Sequence, residues 1–356
     1  MRIALFHTTL PELGRKFSGV EVAVHRLANE LTKNANDEVT VFSLSPRPAD
    51  ATYQHRQIFK DVHALLQGRA TRPSILPLLL NILRFEHFDV VHLHGDDWFY
   101  VRRTTPTVRT LHGSALREAR SAASYKRKLV QYLVYYLEHV SARLATIPLA
   151  VGTDAAAIYG VSEVVDCGVD LQLFSPGTKA ATPRILFVGT WEGRKRGRFL
   201  FDVFTDQVLS VIPRAELYMV SDYCPIHPNV VDARLPSDEI LAELMRSAWV
   251  LAFPSTYEGF GMPYLEALAT GTAVVSSPND GAKYVLADGT YGAIVEDVSF
   301  GKRLIELLRD DRERKALETN ARSRAEQFSW AIVAARHREV YMKAISRSEV
   351  VDGRNR

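Results

Sequence analysis

Cysteine is scarce in this chain: Cys167 and Cys224 are the only two in 356 residues, far apart and in no CxxC pair. That excludes a disulfide-stapled scaffold and a cysteine-built zinc module. Long apolar runs are missing as well. The stretches 75–83 and 129–140 fall short of the ~20 residues a membrane span needs, and Gln131 and Glu138 interrupt the second. The apolar run near the N-terminus is too short for a signal peptide and reads as a buried strand, so a cytoplasmic protein is expected. Charge of one sign is not in excess. With 44 Lys+Arg against 41 Asp+Glu, the net +3 gives no reason to expect a nucleic-acid partner. Three phosphate or nucleophile signatures are absent: GxGxxG, GxxxxGK[ST] and GxSxG. No His/Cys/Asp/Glu group has metal-ligand spacing, so neither metal nor cofactor is expected.

What is present is the composition of a globular protein, 47% hydrophobic and 24% charged, long enough for about two domains. The first half alternates strand-like apolar runs (3–7, 38–44, 89–94, 108–112, 144–149) with helical spacing at 20–31 and 124–143. A polar, Pro-bearing break follows at 175–183. The alternation then restarts: strands at 184–188, 215–220, 250–254 and 273–277, with a further strand end at 294–295. Helices fall at 198–208, 237–248 and 262–269, and three more close the chain at 300–309, 312–327 and 330–346. Strands separated by helix-length segments imply parallel sheets covered on both faces. The fold class expected is α/β, with two doubly wound, Rossmann-like domains facing a cleft. The boundaries expected are 1–174, a linker at 175–183, 184–328, and a C-terminal helix at 329–356. Ligands in such sheets bind beyond the carboxyl ends of the strands.

Four strand-to-helix stretches therefore carry the chemistry. In Pro254–Leu268 a loop with Gly259 and Gly261 leads into a helix opened by Met262-Pro263, which leaves free N–H groups for an anion. Glu258 and Glu266 flank it, and carboxylates accept sugar or ribose hydroxyls well. As a polar loop residue, Glu258 is expected to be dispensable for folding. In 187–197 three consecutive cations, Arg194, Lys195 and Arg196, lie between glycines, a pattern suited to a diphosphate, although a solvated basic loop is the usual fate of such a charge run. Phe17-Ser18-Gly19-Val20-Glu21 places Gly19 at a helix start. His112-Gly113 directly follows a strand and is open to a substrate contact, whereas His92 and His94 read as scaffold.

Taken together the motifs resemble the retaining glycosyltransferases of the GT-B fold, family 4. The resemblance rests on Glu258-Gly-Phe-Gly-Met-Pro-Tyr-Leu-Glu266 and the following 267–275. It also rests on Cys167-Gly-Val-Asp170 with Phe174 and Pro176, on Ser18-Gly19-Val20-Glu21, and on Phe328-Ser329-Trp330 at the start of a last helix. It implies an N-terminal acceptor domain, a C-terminal nucleotide-sugar domain and a final helix that packs back on the first. It implies a UDP- or GDP-hexose donor, a glycan, lipid-linked or small-molecule acceptor, and metal-independent transfer with retention. By the same resemblance, Glu258 contacts the transferred sugar, and Gly259, Phe260, Gly261 and Met262 meet sugar and diphosphate. Glu266 holds the ribose, Lys195 the diphosphate, His112 the donor sugar, and Gly19 lies near the phosphates. One departure stands out: the family's Arg after the glycine is Thr190 here, and Arg194 or Arg196 is expected to replace its charge. That departure keeps a catalytically silent sugar-nucleotide-binding protein as an alternative. Two Rossmann units alone also fit a dinucleotide-dependent oxidoreductase. A last pattern concerns 117–140, where Arg117, Arg120, Lys126, Arg127 and Lys128 precede Tyr-rich apolar residues. The helical spacing of Leu129, Leu133 and Tyr136 predicts a stripe buried against the sheet. The alternative is peripheral docking on an anionic membrane.

Overall fold

A computed structural model describes residues 1–12, 18–60, 71–121 and 124–354. Phe17 lies outside them. The chain divides into two compact units. The first comprises Met1–Leu116, Val130–Gly168 and Trp330–Arg356, the second Arg117–Leu129 and Val169–Ser329.

The first unit is built on a parallel sheet of β1 (Arg2–Phe6), β2 (Glu38–Ser43), β3 (Gln54–Gln57), β4 (Val90–Leu93), β5 (Thr107–Leu111), β6 (Ile147–Ala150) and β7 (Glu163–Val164). The spatial order is β3-β2-β1-β4-β5-β6-β7. Ile3, Ala4, Leu5 and Phe6 are fully buried, as a strand covered on both faces requires. Helix α1 (Gly19–Leu31) starts where Ser18 Oγ accepts the backbone N–H of Glu21 at 3.3 Å. Helix α2 (Tyr125–Leu144) follows β5. The last helix of the chain, Trp330–Arg354, rejoins this unit.

The second unit holds β8 (Arg184–Val188), β9 (Glu216–Val220), β10 (Val230–Asp232), β11 (Val250–Phe253), β12 (Ala273–Ser276) and β13 (Ala293–Ile294), ordered β10-β9-β8-β11-β12-β13 and parallel throughout. Its core joins Phe187, Phe204, Met219, Val250, Val275 and Phe300. The helix expected at 198–208 is α3 (Gly197–Val203), which runs on into a π turn, Phe204–Val208. The short helices α4 (Met262–Ala269) and α5 (Asp280–Val285) follow β11 and β12. Residues of the 175–183 break lie along this unit: Arg246 Nε donates to Ser175 O at 2.9 Å, and Ala180 N to Ser247 O at 2.9 Å.

Helix α6 (Trp330–Arg354) packs on α1, β4 and β5 of the first unit. Its ties are polar and specific. Tyr341 Oη lies 2.7 Å from His92 Nδ1, and Arg338 Nε lies 2.7 Å from the buried Asp37. Gly168 allows the helix start to close in, since a Cβ there would stand 2.4 Å from the Trp330 ring.

One expectation fails in α2. Leu129, Leu133 and Tyr136 are 62%, 59% and 66% exposed, so the stripe is on the surface and not in the core. The helix rests instead on the neighbouring face. There Tyr135 and His139 pack on Tyr159, Glu138 accepts the Tyr159 hydroxyl, and Ser141 and Ala142 are buried. Both faces recur at helical spacing, so periodicity alone does not choose between them.

Candidate active site

Both sheets reverse direction of winding at one point, between β1 and β4 in the first and between β8 and β11 in the second. Loops leaving the carboxyl ends of two such strands diverge and leave a crevice. In the second unit those loops are 189–196, after β8, and 254–261, after β11, and they meet. Lys195 Nζ lies 2.7 Å and Arg194 Nη1 2.6 Å from Glu258 Oε1, and Ser255 Oγ donates to the same oxygen at 2.5 Å. Arg194 Nη1 also donates to Tyr257 O at 2.6 Å, and Thr256 N to Arg194 O at 2.9 Å, so the loops are latched twice more.

The sequence makes this approach possible locally. A Cβ on Gly189 would stand 2.8 Å from Lys195 Cβ, so only glycine lets the lysine stem fold back there. Lys195 then lies over the Phe253 ring, 4.3 Å from its centroid. Burial pulls its ammonium down to about 8, against the opposing pull of Glu258. Gly261 has φ +87° and a Cβ there would meet the Tyr264 ring at 2.5 Å. It ends the loop after Gly259 and stands at the entry to α4, whose first residue is Met262. The Phe260 side chain packs on Phe328 and Tyr284, with ring centroids 5.9 and 6.1 Å away.

Glu258 is 5% exposed and accepts three hydrogen bonds. Its carboxylate compensates two cations, so its replacement is expected to cost stability as well as activity. Glu266, on α4, is partly exposed, and desolvation together with the Asp238 charge pushes its carboxyl up to about 8, with Lys195 opposing. Arg196 is not part of the cluster. Its backbone is left-handed (φ +60°) where the chain turns into α3, and its guanidinium holds Asp297 through two bonds of 2.9 and 2.6 Å. Thr190 Oγ1 donates to Glu192 O at 2.7 Å.

Gly19 and His112 belong to the first unit. Gly19 is the first residue of α1 after β1, and Glu21 in its first turn accepts Thr9 Oγ1 at 2.8 Å. His112 follows β5 and lies 2.9 Å from His94, which follows β4. Two partners were missed in the sequence. Ser255 sits beside a carboxylate three residues on, and His94 is part of a pattern in which β1, β4 and β5 are each followed directly by a histidine: His7, His94 and His112. That repetition is the signal that was available. Among the described residues no group of three or more His, Cys, Asp or Glu has a geometry that could hold a metal ion.

The family model "Glycosyltransferase Family 4" matches residues 17–173 and "Glycosyl transferases group 1" matches residues 233–324. The MMP alpha-(1->4)-mannosyltransferase of Mycolicibacterium hassiacum is 31% identical over 294 residues, which cover 73% of this chain and 72% of that protein. Among solved structures, sucrose-phosphate synthase from Thermosynechococcus elongatus matches with a TM-score of 0.75 at 18% identity, over 97% of this chain and 99% of that one. Anabaena HepE in complex with UDP-glucose matches with 0.72 at 13% identity, over 96% and 100%. The architecture is the GT-B fold of two Rossmann-like units. The chain belongs to the family 4, group 1 glycosyltransferases.

Proposed function

We propose that the chain transfers a hexose from a UDP- or GDP-sugar to a glycan, lipid-linked or small-molecule hydroxyl, with retention and without a metal ion. The observation that carries this reading is the convergence of Lys195 and Arg194 on Glu258 beside the start of α4. Breaking the bond from the anomeric carbon to the donor leaves charge on the diphosphate. Fixed cations and free N–H groups stabilise that charge without reorganising. In this reading Lys195 and Arg194 take the diphosphate, while Glu258 turns its second oxygen, Oε2, to a sugar hydroxyl. Glu266 holds the ribose and His112 a donor-sugar oxygen. The acceptor hydroxyl forms the new bond on the face from which the diphosphate leaves, and its proton passes to the departing phosphate oxygen. The relative from Mycolicibacterium is named a mannosyltransferase, and the Anabaena neighbour carries UDP-glucose. A turnover assay over a panel of UDP- and GDP-hexoses tests the reading. Binding without any turnover would instead support the silent binding protein that Thr190 suggests.

The charge missing at Thr190 is assigned here to Arg194, because Arg196 is held by Asp297. Arg194→Ala is expected to weaken nucleoside diphosphate binding about tenfold while Arg196→Ala leaves it within about twofold. Titration calorimetry of both variants checks this, and the reverse order of effects would overturn the assignment.

The exposed stripe of α2 supports the peripheral membrane contact. Tyr125, Leu129, Leu133 and Tyr136 are exposed on a helix whose first turn carries the exposed Lys126, Arg127 and Lys128. Apolar residues beside cations fit an anionic bilayer, where each cation contributes roughly 1 kcal/mol. No helix among the described residues is long and apolar enough to cross a membrane. Co-sedimentation with anionic vesicles is expected at low salt. It should fade as salt rises and vanish when the three cations are replaced by Glu. Self-association in their absence would point to a second copy as the occupant.

A further inference from the structure

His94 and His112, at neighbouring strand ends of the first unit, form a hydrogen-bonded pair of which the reading above uses only His112. β1, β4 and β5 run side by side in register, Phe6 opposite Leu93 and Leu93 opposite Arg109. His94, one residue beyond β4, donates its backbone N–H to Phe6 O at 3.0 Å and is held there. Its side chain is 5% exposed. Nδ1 of His94 lies 2.9 Å from Nε2 of His112, with ring centroids 5.2 Å apart and planes within 30°. Two ring radii and one hydrogen bond account for that separation, so the rings meet edge to edge through their nitrogens.

The other nitrogen of His94, Nε2, is sealed from solvent and has no hydrogen-bond partner among the described residues. Beneath it, His92 offers nothing. Its nitrogens are taken by Tyr341 Oη at 2.7 Å and Thr110 Oγ1 at 2.6 Å. A neutral imidazole carries one proton and one lone pair. If the His94 proton sat on Nε2, a buried N–H would lack an acceptor, the less tolerated kind of orphan. With the proton on Nδ1, His94 donates to His112, and only a lone pair is left unfilled. His112 Nε2 is then the acceptor, and its own proton must be on Nδ1.

We propose that His94 is a positioning residue that fixes His112 as the Nδ1–H tautomer and so turns a hydrogen-bond donor toward an oxygen of the bound donor sugar. The proposal rests on the placement of His112 at that sugar. Burial holds both imidazoles well below their ordinary range, so the pair stays neutral over the working pH. A donor aimed at a sugar oxygen tightens as charge shifts in the transition state. The pair therefore acts on turnover more than on nucleotide affinity.

The test uses the full chain. Histidine-labelled protein examined by ¹⁵N NMR is expected to report His112 as Nδ1–H, and the Nε2–H form in the wild type would overturn the proposal whatever the activity. His94→Asn places an amide N–H where Nδ1 was and is expected to keep kcat within about threefold. His94→Phe removes the donor and is expected to lower kcat about tenfold or more, with nucleoside diphosphate Kd within about twofold. The readout is donor hydrolysis or transfer from the active UDP- or GDP-hexose. Equal losses in the Asn and Phe variants would mean that His94 serves packing alone and would refute the claim. His112→Ala separates the two layers. Wild-type turnover in that variant would remove His112 from the substrate, while the tautomer measurement would still decide what His94 does.

Discussion

Glu258→Ala is expected to lower turnover by about tenfold to a hundredfold and, unlike an ordinary loop substitution, to lower Tm by several degrees. The first effect follows from the proposed contact with a sugar hydroxyl that matters most in the transition state. The second follows from what Glu258 touches. Its carboxylate is the shared partner of Lys195 and Arg194, and its side chain is 6% exposed against 16% and 32% for theirs. Removing one member of a buried ion pair costs about 3–5 kcal/mol when the remaining charge has no escape. Here Lys195 has one, since its ammonium is already pulled down to about 8 and can release its proton. The cost is therefore expected at the lower end. Glu258→Gln keeps an oxygen for Ser255 and Arg194 and should recover most of the Tm while remaining slow. Wild-type rates in both variants would remove Glu258 from the site. Slow turnover in the Ala variant alone, together with a large Tm loss, would assign it to structure only.

Much of this arrangement was legible in the chain before any coordinates. Strands buried on both faces announce themselves as unbroken apolar runs, and β8 and α4 fall on the residues expected for them. The elements that went unread have little of that signal. β3 is Gln-His-Arg-Gln and half-exposed, and β7 and β10 are two and three residues long at sheet edges. An edge strand is recruited by its neighbour's hydrogen bonds more than by its own side chains. The same limit explains α2, where two faces share one period and only the packing of Tyr159 decides which turns inward. In the site, residue type and spacing pointed to Glu258, Lys195 and Arg194, but not to their mutual pairing. That pairing arises because β8 and β11 are spatial neighbours while 61 residues separate Val188 from Val250. Arg194 and Arg196, two residues apart, diverge for a reason that composition does not carry. Arg196 sits in the left-handed turn, which swings its side chain to Asp297.

Lys195→Ala is expected to cost the nucleoside diphosphate about tenfold to a hundredfold in affinity and the nucleoside almost nothing, because the charge Lys195 meets is on the phosphates. Equal losses for the two ligands would refute the assignment. The same residue predicts a pH dependence whose sign can be worked out. Its pKa in the free protein is near 8, below the ordinary lysine value, because burial penalises the ammonium. A bound diphosphate favours the ammonium and raises that pKa. Below pH 8 the cation is already present and affinity is at its full value. Above pH 8 a proton must be taken up on binding, and affinity falls by up to about tenfold per pH unit until the pKa of the complex is reached. Glu266 titrates in the same range, with its carboxyl raised to about 8, and its ionisation changes the grip on the ribose. The two are separated by the ligand. Glu266 acts on nucleoside and nucleoside diphosphate alike, so above the ionisation of the terminal phosphate, about pH 6, the difference between their binding free energies isolates Lys195. That difference should be largest near pH 7.5, shrink from pH 8 to 9.5 in the wild type, and stay level over that upper range in Lys195→Ala. A difference that is pH-independent in the wild type would mean that the ammonium does not meet the diphosphate.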